Sequence, residues 1–151
     1  MYTLKNIKSF KGHEGEPCAQ GTLHGLKGKA ADWSDDSWGG PMRIDFVNPE
    51  AEEAFVVWAS TYLPTIKDFD DKPFNPANMD RYSIIESAVA QMSYIAMELK
   101  LLEKEAKKGI AYYRTDTSNG EGKTLYVTNA AYTAENVAAL GERSLELPYS
   151  A

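Results

Sequence analysis

Hydrophobic and polar positions alternate over short runs in the first third of the chain. In the middle third apolar residues recur at three- and four-residue steps, and this change of period separates strands from helices. Residues 2–11, YTLKNIKSFK, and then 17–47 read as short extended segments divided by Gly12, Gly15, Gly21, Gly25, Gly28, Gly39 and Gly40, the punctuation of a meander. The clearest strands fall at Ala19–Leu26, Lys29–Ser34 and Met42–Val47. In the last of these Met42, Ile44 and Phe46 alternate with Arg43, Asp45 and Val47, as in a half-buried strand. Leu26-Lys27-Gly28-Lys29 supplies one hairpin turn and the stretch ADWSDDSWGGP, residues 31–41, the next.

Asn48-Pro49-Glu50-Ala51-Glu52-Glu53 then predicts a helix start. Asn is the N-cap, Pro sits at the first helical position, and the acids lie in the first turn, where the helix dipole favours negative charge. The helix runs to about Leu63, stopped by Pro64, with Ala51, Ala54, Phe55, Trp58 and Tyr62 on one core-facing side. Residues 64–78 hold Pro64, Pro73 and Pro76 without a period and read as an irregular loop carrying Asp68, Asp70 and Asp71.

The longest element follows. Ser83 and Glu86 fit a capping box, and Tyr82, Ile85, Val89, Met92, Ile95, Leu99 and Leu102 recur at helical spacing. From Ser83 to Lys108 it spans about 39 Å at about 1.5 Å per residue, a spine for the domain. Ile110–Thr115 and Lys123–Thr128 form a hairpin around Asn119-Gly120, and Thr133 caps a short helix to about Arg143. The order predicts one α+β domain over 1–151: an N-terminal antiparallel β-meander packed on a long helix plus shorter helices, with a C-terminal β-hairpin.

Composition supports a folded chain. Of 151 residues 43% are hydrophobic and 25% charged, close to the globular average. No apolar run approaches the roughly 20 residues of a membrane span, and the N-terminal stretch lacks the apolar core of a signal peptide, so a cytoplasmic location is expected. The single Cys18 excludes an internal disulfide. The net charge of −6 is unevenly placed: residues 12–80 hold 13 acids and 5 bases. Without a basic cluster to neutralise phosphates, the chain is a poor nucleic-acid binder, whereas an acidic face suits a basic protein partner.

Candidate chemistry narrows the choice. Asp32, Asp35 and Asp36 cannot converge while the stretch stays extended, and as a calcium loop it has Ser37 where the turn Gly belongs and Arg43 where the bidentate Glu belongs. The simplest reading is a polar turn with Trp33 and Trp38 partly packed. The competing one is a recognition surface in which Trp38 anchors a partner and neighbouring carboxylates pair with its Arg or Lys. His13, Cys18 and His24 match no common zinc spacing. GEGKT, residues 120–124, imitates the end of a phosphate loop but is followed by a strand and not a helix. No catalytic, metal or cofactor set is expected.

The pattern GKAADWSDDSWGGPMRIDF, residues 28–46, a strand, Asp-Asp turn, Gly-Gly and strand, resembles small uncharacterised proteins of bacteriophages and mobile elements. That resemblance implies a setting in which acidic proteins inhibit host machinery, anti-CRISPR and anti-restriction proteins among them, by occupying basic nucleic-acid surfaces. The expectation is a non-enzymatic interaction module whose acidic face, Asp32, Asp35, Asp36 and Trp38 with Asp68, Asp70 and Asp71 as a second patch, docks on a basic host protein. The alternative is a small-ligand module, one that sequesters a nucleotide, with Trp33, Trp38, Tyr112, Tyr113 or Tyr126 as stacking platforms. An apolar strip on the long helix would suit a symmetric second copy, a homodimer.

Overall fold

The computed structural model describes residues 1–36, 40–67, 72–116, 122–131 and 133–141, with the side chains at 113–116, 122–124, 140 and 141 left outside the description. The fold is α+β: a four-stranded antiparallel sheet, a long helix, shorter helices and a two-stranded hairpin. Contacts divide the chain into two compact units, Met1–Ile95 and Ala96–Ala151, and the division falls inside the long helix.

In the first unit β1 (Thr3–Lys11), β2 (Pro17–Gly25), β3 (Gly28–Asp35) and β4 (Arg43–Phe46) lie in the sheet in chain order, every neighbour antiparallel. Between β2 and β3 the turn is two residues, Leu26 and Lys27, closed by the Gly25–Gly28 pair, and Gly28 at φ +112 takes the conformation a side chain would resist. β1 carries an irregularity. Lys5 pairs with Thr22 but Lys8 pairs with Gln20, so three steps on β1 match two on β2, and Asn6 absorbs the excess at φ 53. The bulge lets Tyr2, Leu4 and Ile7, spaced two and then three apart, all pack against the core, while Lys5 and Lys8 share the outer face.

Helix α1 (Pro49–Tyr62) starts where the sequence places it: Asn48 Oδ1 accepts the Ala51 N–H at 2.8 Å, with Pro49 in the first turn. Its buried residues are Phe55 and Ala59, and Leu63 follows them into the core from a 3-10 turn at Leu63–Thr65. Ala54, expected inside, is exposed. Phe55 is fully buried among Tyr2, Phe46 and Trp58, at ring-centroid distances of 5.0, 5.7 and 5.5 Å.

Helix α2 (Arg81–Ala106) begins earlier than the capping box predicts. Asp80 is the cap: its carboxylate accepts the Ser83 N–H at 2.8 Å and the Ser83 hydroxyl at 3.1 Å, and these bonds hold its pKa below the usual carboxylate range. Glu86, expected to close the box, instead accepts the Met42 N–H at 2.7 Å, and the Tyr82 hydroxyl donates to the Met42 carbonyl. Tertiary bonds to Met42, just before β4, outcompeted the local cap. Ile84, Ile85, Ala88 and Val89 join Leu23, Ala31, Trp33 and Met42 in one core with Phe55 and Ala59. Beyond Met92 the anticipated apolar face is not kept inside: Ile95 and Leu99 are exposed, while Leu102 is buried.

The second unit holds the C-terminal part of α2, the hairpin β5 (Ala111–Asp116) and β6 (Gly122–Val127), and α3 (Ala134–Gly141), where Thr133 Oγ1 accepts the Asn136 N–H at 3.2 Å. Among the described residues Leu102, Ile110 and Ala111 are buried there. Among the described residues no helix is long and apolar enough to cross a membrane.

Candidate functional site

The antiparallel register sorts the acidic stretch. On β3, Trp33 points into the core and is 2% exposed, whereas Asp32 lies on the opposite face in a cross-strand row with Thr22 and Asp45. Asp32 accepts from Lys29 Nζ at 2.7 Å, and Asp45 is held by Arg43 Nε at 2.8 Å. The expected set Asp32, Asp35 and Asp36 is therefore divided. Asp32 belongs to a paired, solvated sheet face, and Asp35 and Asp36 belong to the end of β3.

At that end a second loop meets them. The turn from Gly12 to Glu16 is closed by Gly12 N–H to the Glu16 carbonyl at 2.8 Å and by Gly15 N–H to the Gly12 carbonyl at 3.1 Å, with Gly15 at φ +86. Glu16 Oε2 accepts the Glu14 N–H at 2.8 Å, and its Oε1 is buried with no hydrogen-bond partner. Cys18, 4% exposed, lies between the two loops: its thiol is 3.3 Å from the Asp36 carbonyl and 3.8 Å from that of Glu16. Burial pushes the thiol pKa up, and the charges of Glu16, Asp36 and Asp35 push it further. The thiol is thus kept protonated, the reverse of an activated nucleophile.

The charges of Glu16, Asp35 and Asp36, drawn from two segments about twenty residues apart, thus act on one thiol, with Glu14 in the same turn as Glu16 and Lys11 opposite Pro17 at the same end of the sheet. Glu14 and Glu16 escaped the sequence reading as partners of Asp36, although the Gly12–Gly15 turn signal and the hairpin count of β2 and β3 bring them to the same end. Phe10, 49% exposed, pairs across with Cys18 and adds an apolar element there.

Trp38, Asp68, Asp70 and Asp71 lie outside the described residues. The ends of the segment carrying the last three are drawn together by a bridge between Lys67 and Pro73. The zinc-like set is dispersed: Cys18 and His24 are six residues apart along extended β2, roughly 20 Å at about 3.3 Å per residue. Among the described residues no three His, Cys, Asp or Glu side chains gather to hold a metal ion.

The stacking platforms of the alternative reading fare unevenly. Trp33 is 2% exposed and packed in the core with Leu23, Ala31 and Phe55, which corrects that expectation. Tyr112 and Tyr126 stack on each other across the hairpin at 5.7 Å. The Tyr113 side chain lies outside the description.

Comparison with known protein families, curated proteins and solved structures finds no match for this chain.

Proposed function

We propose that the protein is a non-enzymatic docking module whose acidic sheet end binds a Lys- and Arg-rich surface of a host protein, and that it inhibits that protein by occupying the surface. One observation carries the reading: two separate loops bring the charges of Glu16, Asp35 and Asp36 to bear on the single buried thiol of Cys18. A patch of one sign raises the encounter rate with an oppositely charged partner and specifies it against others. The bacteriophage setting suggested by residues 28–46 belongs to the same proposal, with a nucleic-acid-handling host protein as the target.

The test compares the wild-type chain with Asp35→Lys/Asp36→Lys as bait in host lysate. The expected result is a basic protein retained by the wild type at low salt, lost with the double charge reversal and weakened at moderate salt. Equal capture by both baits overturns the reading. A melting temperature raised by a nucleotide, in place of any captured protein, transfers the function to ligand sequestration.

A further inference from the structure

The outer face of the N-terminal sheet holds a groove of about 370 Å³, within the range of about 300–1,000 Å³ usual for ligand sites. Two cross-strand rows run through it: Lys8, Gln20, Ser34 and Arg43, and beside them Thr22, Asp32 and Asp45. Asn6, at the bulge of β1, closes one side and donates through Nδ2 to the Thr22 hydroxyl at 3.4 Å.

The charges of the groove do not cancel completely. Asp32 is neutralised by Lys29 at 2.7 Å and Asp45 by Arg43 at 2.8 Å. Lys8 is exposed and has no ion pair among the described residues. One positive charge is left over, and it calls for one anionic group on whatever lies in the groove.

The paired groups still have hydrogen bonds to give. Arg43 meets Asp45 through Nε, its side chain is 78% exposed, and the rest of its planar fork keeps N–H donors. Asp32 and Asp45 each engage their partner through Oδ2, and a carboxylate accepts at its other oxygen as well. Between Lys8 and Arg43 the side chains of Gln20 and Ser34 make no hydrogen bond among the described residues. Donors and acceptors are thus interleaved, which suits hydroxyl groups, each a donor and an acceptor at once. A nucleobase is less suited: Trp33, the aromatic residue bordering the groove, is 2% exposed and packed in the core, so no ring face is offered for stacking.

From the lone cation and the interleaved polar groups we infer that the groove binds an acidic sugar, a hydroxylated ring carrying one carboxylate. The carboxylate meets Lys8, and the hydroxyls lie over Gln20, Ser34 and the two ion pairs. This site is on the outer face and does not use the carboxylates around Cys18, so it does not rest on the docking reading.

Proton–nitrogen correlation spectra of the full chain, titrated at low salt with glucuronate, glucose or acetate, test this. Glucuronate is expected to give saturable shifts at the amides of Gln20, Thr22, Ser34 and Arg43, with glucose and acetate each bound at least about tenfold more weakly. Lys8→Met is expected to weaken glucuronate about tenfold and to leave glucose unchanged, because only the carboxylate meets that ammonium. Lys8→Gln serves as a second variant should Lys8→Met shift the unfolding midpoint. Gln20→Ala/Ser34→Ala is expected to bring glucuronate down to the affinity of acetate. Lys27→Met, on the β2–β3 turn outside the groove, is expected to bind as the wild type does.

Absence of saturable shifts with glucuronate overturns the inference. So does acetate bound as tightly as glucuronate, which reduces the groove to an anion site, or glucose bound as tightly, which removes the role of Lys8. An equal loss in Lys8→Met and Lys27→Met assigns the effect to net charge and overturns it too, as do shifts confined to Tyr112 and Tyr126. Capture of a basic partner depends on Asp35 and Asp36 and this titration on Lys8, so either reading can fail while the other stands.

Discussion

Asp32 and Trp33 are adjacent on β3 and meet opposite fates, and the two faces of the sheet differ in the same way. The inner face presents Leu23, Ala31 and Trp33 to Phe55 and Ala59 of α1, all at 2% exposure or less. On the outer face the rows Lys5, Thr22, Asp32, Asp45 and Lys8, Gln20, Ser34, Arg43 run across the strands. The polar side chains of the outer face find each other, Lys29 with Asp32 and Arg43 with Asp45. Stability resides in the inner face, and on the outer face Asp32, Arg43 and Asp45 are held in internal pairs. At the ends of the strands the turns, and not only cross-strand neighbours, set the company a carboxylate keeps, as Asp36 and Glu16 do around Cys18.

Substitutions can test this division. The largest effect is expected from Phe55→Ala, which empties the aromatic centre of the inner face and costs about 3–5 kcal/mol in denaturant unfolding. A loss below about 1 kcal/mol would mean that the sheet and α1 do not share a core. Cys18 is intermediate, being an outer-face position that is nevertheless covered. Its thiol pKa is raised on folding, so folded Cys18 holds its proton longer than unfolded Cys18 does. Its contribution to stability is complete below the ordinary thiol range, about pH 8.5, and declines as pH rises through that range towards the folded value. Between about pH 8 and pH 9.5 the unfolding midpoint of the wild type should therefore fall more than that of Cys18→Ala. Iodoacetamide should also label the folded thiol more slowly than the urea-unfolded one. Parallel pH curves for the two proteins would remove the buried-thiol account. The smallest effect is expected from Asp32→Ala, an exposed pair worth at most about 1 kcal/mol and less in salt. A larger loss would show that the outer face carries structural weight after all.

Much of this architecture is legible in residue order. Asn48-Pro49 and the acids behind it define α1 because a side-chain cap and a proline act locally, and alternation in Met42–Val47 places β4 because one face must be dry. The start of α2 was not legible: Ser83 and Glu86 satisfy the capping pattern, but Asp80 makes the same bonds three residues earlier and Glu86 is taken by Met42 of a distant segment. The candidate site was half legible for a similar reason. Asp35 and Asp36 are close in sequence and obvious as a pair. Their association with Glu14 and Glu16 depends on the length of β2 and on which strand it pairs with, and Asp32 was lost to Lys29, three positions away.

The irregularity at Asn6 fixes a reading frame for the first strand. Tyr2 and Leu4 point inward together with Ile7 because the bulge absorbs one extra residue; were Asn6 paired in plain alternation instead, everything upstream would turn inside out, setting Lys5 against the core and Leu4 in water. Loss of the Asn6 peptide unit would leave a regular ladder with both faces kept, so the bulge is the device by which a strand one residue too long still presents its apolar side chains to the core.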